Sequence, residues 1–156
     1  MDVIAKSAIN NTPRGWQYLG ANLFQIDQTC IQETLAQVLG HASLETPVTF
    51  TVVPVGTGRR MGIDRNENGL LDFDEASGLF RIRSVAVQGN NVLLTWTTPG
   101  GMTNMVQATS GNSFTNGFID LSPMIAVPCG QTATNYSDVG AATNAPARFY
   151  RLRIMP

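Results

Sequence analysis

The sequence has little charge, one histidine, one lysine and no long apolar run. Only 13% of its 156 residues are charged, and the net charge is −1. Because the nine arginines are scattered along the chain, we expect no nucleic-acid partner and no binding to anionic membranes. The apolar runs fall far short of the ~20 residues that a membrane-spanning helix needs. Residues 1–8 also lack the basic stretch and apolar core of a signal peptide.

Motifs for catalysis are missing as well. The sequence contains no GxSxG, HExxH, P-loop or GxGxxG pattern. His41 is the only histidine and falls at the end of a predicted helix, a position that the helix dipole favours by itself. The acidic residues outside one loop are scattered and form no evident pair for glycoside chemistry. We therefore do not expect an enzyme.

The chain has two cysteines, Cys30 and Cys129, and neither lies in a CxxC or Cys/His spacing. An even count permits one disulfide that closes a long loop. Two unrelated buried thiols fit the sequence equally well, so the state of the two residues stays open.

Hydrophobic periodicity predicts a mainly β fold with one short helix, divided into three parts. Residues 1–55 form an α+β segment, residues 56–78 a connector, and residues 79–156 a small antiparallel β-sandwich. In the first part we predict strands at 3–9, 15–19 and 47–54. A helix is predicted over 30–41, where Thr29 and Gln32 have the spacing of a capping box. Its apolar face would consist of Ile31, Leu35, Val38 and Leu39.

In the third part, turn residues recur every 8–12 positions between short apolar strands, as in a sandwich. Trp96 lies in the middle of one strand, so we expect it in the core. The predicted strands span residues 80–88, 92–97, 104–109, 117–121, 124–127, 135–138 and 148–154.

The connector contains the one strong chemical motif. Residues 64–75 read DRNENGLLDFDE and match the calcium template D-x-[DN]-x-[DN]-G-x5-E at every fixed position. By average composition, such a match arises by chance roughly once per 10⁵–10⁶ start positions. Calcium needs six to eight oxygens, and this template supplies them. The predicted ligands are Asp64, Asn66, Asn68, the Leu70 carbonyl, Asp72 and Glu75, with Gly69 at the sharp turn.

The GIDRNENGLLDFDE stretch resembles the EF-hand loop, and more closely the calcium loops of dockerins and thrombospondin type 3 repeats. A preceding segment with three glycines and a proline argues against a long entering helix. The resemblance implies a static Ca²⁺ site in a secreted bacterial protein. The VLLTWTTPGG and FYRLRIMP stretches of the third part resemble a fibronectin type III-like sandwich.

These features predict a calcium-stabilised structural module of a secreted or cell-surface protein. It could assemble into a homo-oligomer, fibre or layer, because residues 3–9 form a strand without an evident local partner. One alternative is a carbohydrate-binding module in which Trp16 and Tyr18 stack on a polysaccharide. The other is the C-terminal tail of a larger secreted enzyme.

Overall fold

The computed structural model describes residues 1–111, 117–144 and 147–155. The fold is mainly β, with 48% strand and 13% helix. It divides into two compact units, residues 1–77 and 78–156. Residues 56–77 of the predicted connector lie within the first unit.

The first unit is an antiparallel five-stranded sheet with three short helices. Its sheet order is β4-β3-β2-β1-β5. The elements are β1 (Asp2–Ile9), β2 (Thr12–Gly20), β3 (Leu23–Ile26), β4 (Gln32–Thr34), α1 (Leu35–Gly40), β5 (Thr49–Val53), α2 (Gly58–Gly62) and α3 (Asp72–Ala76).

The expectation that residues 3–9 form an unpartnered strand is wrong. β1 pairs with β2 on one side and with β5 on the other, so it lies inside the sheet. The β1–β2 turn uses Asn10 and Asn11, whose φ angles are 50° and 62°. Asparagine tolerates this left-handed conformation, which two-residue hairpin turns require. The partner β5 is distant in sequence, which is why local pattern could not reveal it.

The predicted helix is shorter than expected. Residues 32–34 form β4, and α1 begins only at Leu35. The capping box is real but lies five residues later, between Thr34 and Gln37. Of the predicted apolar face only Val38 is buried. The pairing of β4 with β3 overrides the helical periodicity over the first residues.

The two faces of the first sheet carry different layers. One face forms a core from β1, β2, β3 and α1 that consists of Ala5, Trp16, Phe24, Ile26 and Val38. Trp16 is fully buried, and its indole nitrogen donates to Glu33 at 2.9 Å. The opposite face, which carries Ile4 and Lys6, is covered by α2. The segment that matches the calcium template starts directly after this helix.

Contact between α2 and the sheet depends on glycine. A Cβ on Gly15 would overlap the backbone carbonyl oxygen of Gly62. The same carbonyl accepts a hydrogen bond from the Lys6 ammonium at 2.5 Å. The missing side chain at Gly15 therefore lets β2 and α2 approach closely.

Replacing Gly15 with alanine should destabilise the protein by at least about 2 kcal/mol, because a rigid backbone group must move. Urea unfolding measures this loss. Gly40→Ala is the matched control, since among the described residues no atom beyond its own helix and chain neighbours lies within 4 Å of its added Cβ. Alanine at position 40 should leave the free energy of unfolding unchanged or raise it by up to about 1 kcal/mol. Equal effects of the two substitutions would contradict the close approach.

The second unit is a sandwich of two antiparallel sheets, as the sequence predicts. One sheet has the order β11-β7-β6, and the other β10-β8-β12 with β9 paired to β8. The elements are β6 (Arg81–Gln88), β7 (Asn91–Thr97), β8 (Thr103–Ser110), β9 (Ile119–Asp120), β10 (Ile125–Ala126), β11 (Ala133–Asp138), α4 (Ala141–Asn144) and β12 (Arg148–Met155).

The core of the sandwich lies between β7 and β8. Leu94, Trp96 and Val106 are fully buried there. The expectation that Trp96 is a core residue is confirmed, and its indole nitrogen donates to Asn104 Oδ1 at 2.9 Å. Nearby, the buried carboxylate of Asp138 accepts a hydrogen bond from the Tyr150 hydroxyl at 2.9 Å and pairs with Arg148 at 2.6 Å.

Burial and the hydrogen bond to Asp138 raise the pKa of Tyr150 to about 12. An unfolded tyrosine loses its proton near pH 10. Between these two values the folded state holds a proton that the unfolded state has lost, so stability should fall as the pH rises from about 10 to about 12. An alkaline absorbance titration should show one of the three tyrosines ionising last, and Tyr150→Phe should abolish that step. A late step that persists in this variant would contradict the assignment.

Candidate metal centre

The segment that matches the calcium template joins two single-turn helices. α2 precedes it and α3 starts at its ninth residue, Asp72. The sequence favours no entering helix because Gly58 and Gly62 are poor helix formers. Packing of α2 on β1 and β2 compensates for that weak propensity. The loop is thus fixed at both ends by short helices rather than by the long pair of an EF-hand.

Backbone geometry in the loop follows its small and polar residues. Gly69 has a φ of 89°, the left-handed conformation that its template position requires. The Asn66 side-chain oxygen accepts from the Asn68 amide at 3.3 Å, and the Asn68 oxygen accepts from the Leu70 amide at 2.8 Å. Such local bonds are typical of asparagine in turns. They fix where both amide groups point.

Three of the predicted ligands come together. The Asn66 side-chain amide donates to both carboxylate oxygens of Glu75 at 3.0 Å. The Asn68 amide donates to Glu75 Oε1 at 2.8 Å. Template positions 3, 5 and 12 therefore meet at one point, although they are up to nine residues apart. Each of these amides also carries an oxygen, the atom that a hard cation prefers.

The surroundings of the Asp64 carboxylate test whether the loop could hold a cation. The residue is 1% exposed. Its Oδ2 faces Arg59, with Nε and Nη2 each at 3.1 Å. Its Oδ1 is buried and has no hydrogen-bond partner among the described residues. Leaving a buried carboxylate oxygen unpaired costs free energy, and a bound cation would offset that cost.

The other two predicted ligands are placed differently. Arg65 engages both oxygens of Asp72. Its backbone amide donates to Oδ1 at 3.0 Å, and its Nε donates to Oδ2 at 2.9 Å. Leu70 and its neighbour Leu71 are 7% and 5% exposed, so this part of the loop packs against the protein interior. The residues at positions 1, 3, 5 and 12 carry carboxylate or amide oxygens, the ligand types that calcium binds.

No three His, Cys, Asp or Glu side chains form a cluster for a metal within residues 1–111, 117–144 and 147–155. The convergent donors of this loop are one carboxylate and two amides, and the other two predicted acidic ligands, Asp64 and Asp72, contact arginines. A calcium site built here would therefore depend on asparagine oxygens for much of its ligand set.

Asp74 has a structural role that the motif does not indicate. Its carboxylate is 2% exposed and accepts from the Thr29 backbone amide at 2.7 Å and from the Thr29 hydroxyl at 2.6 Å. Beside it, the Phe73 amide donates to the Asp27 carbonyl at 3.0 Å. These bonds fasten α3 to the segment that follows β3. Only the tertiary fold brings residues 29 and 74 together, so no sequence signal could have found this pair.

The structure also shows the surroundings of the aromatic residues, the histidine and the cysteines that the sequence singled out. Trp16 is fully buried and cannot stack on a sugar, while Tyr18 is 39% exposed. His41 Nε2 lies 3.1 Å from the Glu33 carboxylate, and its ring stacks on Trp16 at 5.7 Å between centroids. Cys30 and Cys129 are both disulfide-bonded, which decides the question that the sequence left open.

No family model, curated protein or solved structure matches the chain. No helix in the described part of the chain is both long and apolar enough to cross a bilayer. Function must therefore be inferred from the loop itself.

Asp74→Ala should lower stability by about 1–3 kcal/mol, because two donors of Thr29 lose their acceptor. Asp74→Asn keeps an acceptor oxygen and should cost less. Chemical unfolding of both variants measures the difference. Since Asp74 contacts Thr29 rather than the convergent donors, any response of stability to calcium should survive both substitutions. Loss of that response in Asp74→Asn would assign this residue to the metal site instead.

Proposed function

We propose that this chain is a calcium-stabilised structural module of a secreted or cell-surface protein. The single observation that carries the proposal is the buried Oδ1 of Asp64, which has no hydrogen-bond partner among the described residues and stands at the first position of a complete calcium template. The convergence of Asn66 and Asn68 on Glu75 supports it. A cation held by these residues would link the residue after the α2 C-cap to α3.

The mechanical consequence of binding would be stabilisation of the first unit. Asp64 and Glu75 lie at opposite ends of the loop, and the two ends are bound to one sheet through α2 and through the Asp74–Thr29 bonds. An ion that joins both ends removes freedom from the loop without a large movement. The site is therefore better suited to a static role than to a sensor that opens a helix pair.

Two features support an extracellular location. Extracellular calcium modules bind with a Kd of about 10⁻⁴–10⁻³ M, which suits a ligand set containing two neutral asparagines. Disulfide-bonded cysteines are typical of oxidising compartments and rare in the cytosol. We infer that the module works outside the cell, where calcium is abundant enough to fill such a site and disulfides persist.

The resemblance of the second unit to a fibronectin type III-like domain remains part of this proposal. Support comes from its two antiparallel sheets and from the tryptophan of β7 at their shared core. A structural role for both units agrees with the absence of a catalytic motif.

Two alternative hypotheses, assembly through β1 and sugar binding through Trp16, are not supported by the positions of these residues. β1 is paired on both edges, so it cannot accept or donate a strand without breaking the sheet. The fully buried Trp16 offers no face to a polysaccharide. A homo-oligomer or a larger secreted enzyme as parent remains compatible with the module, but no contact in the described residues favours either.

Calcium at ten times its Kd should stabilise the folded state by about 1.4 kcal/mol. For a unit of this size, that corresponds to a rise in melting temperature of roughly 5–10 °C. Calorimetric titration paired with thermal melts should show one site and this rise. Glu75→Gln should abolish both, because it removes the charge and one strong oxygen ligand from position 12.

Glu67→Gln is the matched control for charge within the same loop. Glu67 is exposed and lies at a non-ligand position, with Arg60 3.9 Å away as its nearest partner. Its substitution should leave the calcium response intact. A chain that binds no calcium at millimolar concentration, or one in which both substitutions act alike, would refute the proposal.

A further inference from the structure

A cavity of about 300 Å³ opens in the first unit beside the loop. β1 and β2 contribute Lys6, Ser7 and Thr12 to its wall, and α3 contributes Phe73 and Ala76. Its size is at the lower end of ordinary small-molecule sites. Asp72 is the one predicted calcium ligand in the lining, so the cavity adjoins the loop but consists mainly of residues outside the predicted ligand set.

Charge in the cavity is almost balanced, but one cation is left over. Arg14 pairs with Asp27 at 2.7 Å, and Arg65 pairs with Asp72 at 2.9 Å. Lys6 forms no ion pair with any residue that the structure describes, and its one hydrogen bond there goes to the Gly62 carbonyl. Three cations and two carboxylates give the lining a net charge of +1.

The position of the Lys6 ammonium makes an anionic partner favourable. Burial lowers the pKa of Lys6, which shows that its charged form is poorly solvated. An ammonium has three N–H donors, and Gly62 uses one of them. A carboxylate placed in the cavity would accept from the remaining donors through charge-assisted bonds.

We propose that this cavity binds a small organic acid with one carboxylate and several hydroxyl groups, its carboxylate against the Lys6 ammonium. The net charge of +1 favours a monoanion, because a dianion would be repelled by the carboxylates of Asp27 and Asp72. The exposed Thr12 at the cavity wall suits a hydroxylated body. The Phe73 ring gives one flat apolar wall, stabilised by the Arg14 guanidinium 4.0 Å from its centroid. A single uronic acid unit has this chemistry.

D-glucuronate is the probe, and amide chemical shifts in two-dimensional NMR are the readout. At constant calcium we expect saturable shifts around Lys6, Ser7 and Phe73, with a Kd on the order of millimolar. D-glucose, the neutral counterpart, should bind at least about tenfold more weakly, since it lacks the charge-assisted bond. Inorganic phosphate should also bind more weakly.

Lys6→Met should weaken glucuronate binding at least about tenfold. Arg60→Met is the matched control, because it removes a cation from α2 without touching the cavity. Ala76→Leu keeps Lys6 and fills the cavity, so it decides the matter if Lys6→Met does not fold. It too should weaken binding.

A short oligosaccharide of glucuronate units distinguishes the source of the acid. Tighter binding per unit than the monosaccharide assigns the site to an acidic polysaccharide, and no binding assigns it to a free acid. The proposal is overturned if glucuronate causes no shifts, if glucose or phosphate binds equally well, or if neither Lys6→Met nor Ala76→Leu weakens binding. Because calcium is held constant, these outcomes do not depend on whether the loop binds the ion.

Discussion

The close approach of α2 to the first sheet is the contact on which the remaining features of this unit depend. It needs a residue without a side chain at Gly15, and it places the Gly62 carbonyl where the Lys6 ammonium can donate to it. Gly62 is two residues before Asp64, so this contact fixes where the loop starts. Lys6 also lines the neighbouring cavity. One backbone contact thus positions both the candidate metal centre and the candidate ligand site.

The loop concentrates charge in a chain that otherwise has little of it. Five of the eleven acidic residues lie between Asp64 and Glu75. The structure divides these carboxylates among different tasks. Asp74 holds α3 to the sheet, Asp72 pairs with Arg65, and Asp64 and Glu75 are left at the two ends of the loop. A motif that appears uniform in sequence is therefore made of residues with separate physical roles.

The proposals for calcium and for an organic acid have the same physical basis. Both use groups whose burial is costly unless a ligand compensates them, namely the Oδ1 of Asp64 and the ammonium of Lys6. Both sites lie in the first unit, and Asp72 borders each of them. The second unit is a sandwich with its own apolar core and the Asp138–Tyr150–Arg148 cluster.

The sequence alone determined the features that depend on local physics. Alternating apolar residues placed β6, β7, β8 and β12 close to their observed bounds, because a period of two leaves one buried face per strand. The twelve-residue template placed Gly69 at a left-handed turn, because glycine adopts that conformation without steric cost. Only the tertiary structure decided what depends on distant partners. Pairing with β3 converted residues 32–34 from helix to strand, β5 made β1 an interior strand, and Thr29 gave Asp74 its role. Each of these contacts joins residues that local periodicity does not connect, and the burial of Trp16 and the free oxygen of Asp64 follow from such contacts alone.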